Sequence, residues 1–531
     1  MNSEETSKDL RLQYSGYVIF VIQIFSVVTG LVFTLLLTRN MNSDQYGIWT
    51  NIFDYIGYFT LFSGVLPFWA TRFVARGKAG TVKTNALAQL CIALGSTAIY
   101  FPVMFVIFTF VIDPKISRLN DVGHAAAYLP IFLIAGLYIL AFYMISVFEA
   151  ILQSKKPQTL GFGLLIEELV KVGVALVLIL GFRQLFLGAV LALILSMFVQ
   201  VGYYVWLLRD DFKGKVQWSY LKEWLKGSTA LAYNAVGNQL MSFVLILLFF
   251  YGGPTTRAYY QAASSFAVII SYSISLSTAL YPKLLAKGCS SEQVGKSFRT
   301  VMMLGIPLTA ITMTMSYSFL IVLKNVYGAA WPVLIALSAY TLIGLVTSFY
   351  SSVLLGVESF DAEGTISFRQ LLRSKIFKLF TLPYIQAAIA LPLAYFVLTR
   401  LPLAGLVEAT LAVIAILIGV QASTFGGLYL LMRRSIRIPV AWVSIGKYVL
   451  TSALMVAVLL LLPTTTTLLF TVAKAILGFL IYAATLLAID KQAREIIRQI
   501  WAEIRGNLRT PNTEASSNAS SGENRVEATE N

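Results

Sequence analysis

The chain has 531 residues, 58% of them hydrophobic and only 12% charged, with a mean hydropathy of +0.77. A soluble domain carries charge on roughly a quarter of its residues, so water is not the main solvent of this surface. The formal net charge of +15 would suit nucleic acid, but the lysines and arginines lie in short clusters between apolar runs, as membrane topology places them, and no nucleic-acid partner is expected.

A hydrocarbon core about 30 Å thick needs roughly 20 apolar residues at 1.5 Å rise, and helix is the fold that satisfies every backbone group there. After a polar N-terminus (1–16), with no cleavage signal expected, runs of this size recur throughout. Six predicted spans form a first bundle (17–208): Tyr17 to Thr38, Gly47 to Ala70, Ala86 to Ile112, Ala126 to Leu152, Leu160 to Phe182 and Leu185 to Leu208. A basic segment (209–228) leads to a second six (229–431): Thr229 to Tyr251, Ala258 to Tyr281, Val301 to Leu323, Trp331 to Gly356, Leu379 to Thr399 and Ala404 to Leu431. Val443 to Leu462 and Leu468 to Ile489 (443–489) complete an all-α integral membrane protein of about fourteen helices.

Lys and Arg are retained on the cytoplasmic side of short loops. Only Arg39, Lys115, Arg118, Arg183, Arg257, Lys324 and Arg400 fall in odd-numbered loops, and Lys171 and Lys474 lie within spans. The other basic residues sit in even loops and at both ends. Both termini are therefore expected in the cytoplasm of a multi-pass cell-membrane protein. Two further segments are amphipathic and expected to lie on the membrane. One carries Val216, Tyr220, Leu221 and Trp224 in the linker; the other carries Ile496, Ile497, Ile500, Trp501 and Ile504 in residues 490–508. The polar tail, 509–531, reads as disordered, and its Asn518 acceptor spacing as chance on that side of the membrane.

An offset of 211 residues aligns the second span of each bundle. It sets Gly47, Ile48 and Trp49 against Ala258, Tyr259 and Tyr260, and Arg72 and Arg76 against Lys283 and Lys287. Six is even, so the lobes are parallel repeats, and a cleft between them provides for alternating access.

Two stretches carry a family resemblance: Leu37, Thr38, Arg39 with Gln45, Tyr46, Gly47, Ile48, Trp49, and Val326, Tyr327, Gly328, Ala329, Ala330, Trp331, Pro332. They resemble loops one–two and nine–ten of polysaccharide transporters in the multidrug/oligosaccharidyl-lipid/polysaccharide exporter superfamily. The resemblance implies a flippase for glycans linked to polyprenyl phosphate or pyrophosphate, similar to O-antigen flippases and more remotely to lipid II flippases and multidrug antiporters. Helix one carries no charge before Arg39, which weakens the resemblance to lipid II flippases, whose helix one carries cationic residues well inside it.

Ionisable groups inside a bilayer are costly and so are candidates for function. Asp54 and Glu168 are the candidates for binding a coupling proton or cation, with Glu168 expected to stand unpaired while Glu167 and Lys171 neutralise each other one turn apart. Arg72, Arg76, Lys283 and Lys287 stand at the cytoplasmic mouth, where an anionic lipid carrier would enter. Lys474 is a candidate for a pyrophosphate or a carboxylate on another lobe. Asn234, Asn238, Gln239, Gln261, Ser264 and Ser265 offer hydrogen bonds to sugar hydroxyls. Glu149 and Glu408 are expected to reach interfacial water. The only cysteines, Cys91 and Cys289, and the lone His124 form no metal or nucleophile pattern, and no cofactor is expected. A glycosyltransferase or polymerase would need catalytic carboxylates in a sizeable outer loop, and the longest, Asp113 to Ala125, holds only Asp113 and Asp121. The chain is read as a transporter and not an enzyme, with a cation-coupled small-molecule antiporter as the alternative.

Overall fold

The computed structural model describes residues 25–26, 28–117, 125–156, 158–277, 291–357, 375–402, 405–433, 439–491, 493–495 and 498. Among these there is no strand, and helix occupies part or all of every predicted span. Among the described residues, nine helices are long and apolar enough to cross a membrane, or ten if the bent pair Ser291–Thr314 and Ser316–Leu323 is one span. Three of the other predicted spans carry charge or breaks. The second span splits into α2 (Ser43–Phe59) and α3 (Val65–Ala75), and the fifth, α6 (Gln158–Ala175), holds Glu167, Glu168 and Lys171. The eighth, α10 (Pro254–Ser271), carries Arg257, Gln261 and several hydroxyls. Such helices must turn toward protein.

The remaining helices of the first lobe are α1 (Val28–Asn40), α4 (Thr81–Ile107), α5 (Leu137–Lys155) and α7 (Leu185–Leu207). A short helix, α8 (Trp218–Gly227), leads to α9 (Thr229–Leu247), and α10 follows. The second lobe continues with α11 (Ser291–Thr314), α12 (Ser316–Leu323), α13 (Trp331–Val357), α14 (Lys375–Arg400) and α15 (Leu406–Arg433), and α16 (Trp442–Leu461) and α17 (Leu468–Ile489) end the bundle. One face of the bundle carries the tight connections at residues 39–42, 252–253 and 324–330 and is called here the hairpin end. The opposite, basic end carries residues 76–80, 155–158 and 208–228.

Two apolar cores mark the lobes. The first gathers α1 to α7 and crosses at the hairpin end to Ala258, Tyr259, Leu320 and Tyr327. The second joins α11, α13 and α15 to Tyr448, Met455, Tyr482 and Leu486 of the last two helices. The Tyr482 hydroxyl donates to the Met303 carbonyl at 2.6 Å, so α16 and α17 are seated on the second lobe.

The linker helix α8 corrects one expectation. Its apolar face is turned to protein, with Trp224 fully buried in a cluster with Leu66, Phe73 and Ala88, and its ring 5.4 Å from that of Phe73. Tyr220 and Leu221 pack there too, while Trp218 and Leu225 are exposed. Residues Ile496, Ile497, Ile500, Trp501 and Ile504 lie outside the described residues.

Candidate functional site at the interface between the lobes

The two motif stretches meet in space. Asn42 caps α2 by accepting from the Gln45 N–H at 2.7 Å, while the Gln45 side chain accepts from the Asn42 N–H at 3.0 Å. This reciprocal box satisfies two amide donors that the first helical turn leaves open. One turn on, Gly47 is pressed against Pro254: a Cβ here would lie 2.0 Å from the Pro254 carbonyl oxygen. Only glycine allows α2 and α10 to approach so closely. The rings of Tyr46 and Tyr259 both meet that of Tyr327, at 6.0 and 6.2 Å. Arg39 donates to the Val322 carbonyl at 3.1 Å and Lys324 to the Met41 carbonyl at 2.8 Å, so each lobe's cation caps the other's chain end.

Deeper along α2, Asp54 finds its partner across the interface. Arg257 Nε lies 2.8 Å from Asp54 Oδ2 and Nη2 lies 2.8 Å from Oδ1, a bidentate pair with both side chains almost entirely buried. The third guanidinium nitrogen, Nη1, donates to Gln261 Oε1 at 3.1 Å. Arg257, expected in an outer loop, instead lies in the first turn of α10, because Pro254 starts the helix, and it faces the other lobe. A carboxylate inside a span calls for a cation, and that requirement was the signal in the sequence for the pair.

The same 211-residue shift that relates the lobes carries Asp54 to Ser265 and Arg257 back to Tyr46. The ionic pair thus has a neutral tyrosine and serine as its counterpart at that offset. Near the axis, Thr255 and Asp44, which are 211 apart in sequence, hydrogen-bond each other directly.

Beside this lock lies a cleft of about 310 Å³ between α1 and α10, lined by Ser26, Thr34, Gln261, Ser264, Ser265 and Tyr272 with apolar neighbours. Its α1 wall is tied to the first lobe through Glu168, which accepts from Ser26 Oγ at 2.7 Å and from Thr29 Oγ1 at 2.6 Å. Glu168, expected to stand unpaired, is paired, which is a correction: Lys171 lies 2.8 Å from Glu168 and 3.3 Å from Glu167. The lysine side chain reaches both the i−3 and the i−4 carboxylate, so two buried carboxylates share one cation. Ser26 and Thr29 carried no sequence signal, because hydroxyls are common in membrane helices.

The other predicted residues are scattered. Arg72 is half-buried at the basic end with its guanidinium 3.9 Å from the Phe68 ring centroid, and Arg76 is exposed; Lys283 and Lys287 lie outside the described residues. Asn234 and Asn238 bond within α9, Asn238 donating to the Asn234 carbonyl at 3.0 Å, while the Gln239 carbonyl accepts from Tyr58 of the first lobe at 3.2 Å. Lys474 donates to the carbonyls of Leu462 and Pro463, both at 3.1 Å. It therefore caps its own helical hairpin instead of meeting a carboxylate on another lobe. Glu408 is exposed near the start of α15. Glu149 is half-buried on α5 with Tyr204 and Gln200 beside it. No cluster of metal-ligating side chains occurs among the described residues.

No family model matches the sequence, and neither does any curated protein. Solved structures do match. A lipid II flippase, MurJ, in an inward closed conformation superposes with a TM-score of 0.63 at 15% identity, covering 91% of this chain and 100% of its own. A multidrug resistance MATE family transporter of the MOP superfamily, facing inward, gives 0.56 at 14% identity over 79% of this chain and 98% of its own. An outward-facing MATE structure gives 0.55 at 13% identity, covering 80% and 95%. This chain is a multi-pass, all-α membrane protein with the fold of the MOP-superfamily transporters.

Proposed function

We propose that the chain is a flippase that carries polyprenyl-linked oligosaccharide precursors from the cytoplasmic to the outer leaflet by alternating access, with both termini cytoplasmic and the hairpin end outermost. The observation that carries this reading is the cleft between α1 and α10, an apolar groove dotted with hydroxyls and amides, whose Gln261 accepts from Arg257 of the buried Asp54–Arg257 pair between lobes. Rocking the lobes apart would break that pair, and hydration of the separated charges would compensate its loss. Hydroxyls and amides on the cleft walls suit sugar hydroxyls. Exposed apolar side chains on α16 and α17, among them Leu450, Leu461, Leu469 and Phe470, give a polyprenyl tail a hydrocarbon surface. Arg72, Arg76, Lys283 and Lys287 would receive the anionic phosphate at the cytoplasmic mouth.

A second reading, cation-coupled export of small molecules, is favoured by one observation. Glu167 and Glu168 share the single Lys171, so the cluster has room for one proton or monovalent cation. Such coupling is compatible with either cargo.

The test is reconstitution in liposomes with a fluorescent polyprenyl-pyrophosphate oligosaccharide placed in one leaflet. Wild type should equilibrate the lipid between leaflets, and Asp54→Asn and Arg76→Ala should slow it. Absence of any protein-dependent flipping, together with proton-driven efflux of a cationic dye, would overturn the glycan reading in favour of the antiporter.

A further inference from the structure

A half-buried carboxylate in the first lobe has no part in the lock or the cleft. Glu149 lies on α5 six residues before the helix end at Lys155, about 9 Å inside the basic end at 1.5 Å per residue. Among the described residues no lysine or arginine pairs with it. Its neighbours from α7 are the Tyr204 hydroxyl and the Gln200 amide, each 3.4 Å from Oε1. Both contacts are too long to stabilise a full negative charge well. The Tyr204 hydroxyl also receives the Gln200 amide at 3.0 Å and lies 3.5 Å from the Leu160 carbonyl of α6. Room for it is made by Gly163, where a Cβ would fall 2.2 Å from the hydroxyl oxygen.

The charged groups on α6, which packs against α5, are Glu167, Glu168 and Lys171. Glu167 stands nine residues into α6, about 13 Å from the basic end. The carboxyls of Glu149, then of Glu167 and Glu168, therefore form a ladder from the basic end toward the α1 wall of the cleft. A carboxylate inside a span that no cation pairs with and only long contacts reach is neutral or must find a proton.

We infer that Glu149 is a proton-binding site of this protein, loaded from the basic end and standing next in line to the Glu167–Glu168–Lys171 cluster. A proton passed inward leaves Glu149 a carboxylate and neutralises Glu167, so the pair shares one proton and the net charge of the lobe is unchanged. This role rests on the transporter reading only for its purpose; the site itself does not depend on the cargo.

Infrared difference spectroscopy of the full chain in nanodiscs, titrated with acid and base, reads the site directly. Wild type should show a protonated-carboxyl stretch at neutral pH that is absent from Glu149→Gln, displaced in frequency in Glu149→Asp and unaffected in Glu408→Gln. Glu149→Asp retains a carboxyl and covers the case in which Glu149→Gln does not fold. In liposomes with a trapped pH dye, Glu149→Gln should also reduce proton flux at least tenfold. A neutral-pH carboxyl band that persists unchanged in Glu149→Gln, or a wild type with no such band, overturns the site. A glycan flippase without the band loses only this inference, and a band without flipping of any polyprenyl lipid loses only the cargo assigned above.

Discussion

Removing one partner of the Asp54–Arg257 pair tests how the lobes are held. Arg257 makes two contacts of 2.8 Å to the carboxylate and one of 3.1 Å to Gln261 in a buried setting. Asp54→Ala leaves the guanidinium buried with only Gln261 to satisfy it, a loss of about 3–5 kcal/mol for a buried pair broken on one side. Opening the lobes hydrates the orphaned charge, so that loss falls on the closed state alone. At 1.4 kcal/mol per factor of ten, the closed-to-open ratio should fall roughly 10²- to 4 × 10³-fold. The assay is pulsed electron–electron distance measurement between spin labels at the exposed Ser117 and Val326, with Cys91 and Cys289 replaced by serine. Wild type should give the short distance, Asp54→Ala the long one, and Asp54→Ala with Arg257→Met the short one again, because no charge is left buried. An unchanged distance distribution in Asp54→Ala, or a double variant as open as the single one, would refute the reasoning.

Four other outcomes are expected. Gly47→Ala forces a methyl into the Pro254 backbone and should open the hairpin end in the same distance assay, with an overpacking cost of about 1–3 kcal/mol. Trp224→Ala empties the pocket between Leu66, Phe73 and Ala88; it should lower thermal stability by about 3–5 kcal/mol and make the 209–228 segment a site of limited proteolysis. Lys171→Met should destabilise the protein more in the wild-type background than in Glu168→Gln, a coupling that a double-mutant cycle in thermal unfolding measures directly. Lys474→Ala should cost about 1 kcal/mol through the loss of its two carbonyl contacts, while binding of a fluorescent polyprenyl pyrophosphate stays at the wild-type level in a fluorescence titration.

Lys474 and Arg257 show where reading the chain by itself stops. Both are cations near the hairpin end, and hydropathy treats them alike. Which is a hairpin cap and which is a lock between lobes depends on the direction each side chain leaves its helix and on what stands 200 residues away. Local sequence holds neither. Glu168 fails in the same way. From the i, i+4 rule Lys171 belongs to Glu167, but the lysine reaches both carboxylates, and Ser26 and Thr29 arrive from a helix 139 residues or more away.

By itself the sequence determined the solvent and the element type: apolar runs of bilayer length leave no alternative to helix, because backbone groups in hydrocarbon must bond within their own segment. Read for repeats, it also led to an offset of 211 residues between the two sets of six spans. Asp44 and Thr255 meet at that spacing. The tertiary structure alone decided which charges face one another, because a helix buried on several sides loses the periodicity that would mark its inner face, and pairing across lobes is a matter of packing. It placed Asp54 on Arg257, turned Trp224 from the membrane onto α3 and α4, and set Glu149 apart from every described cation.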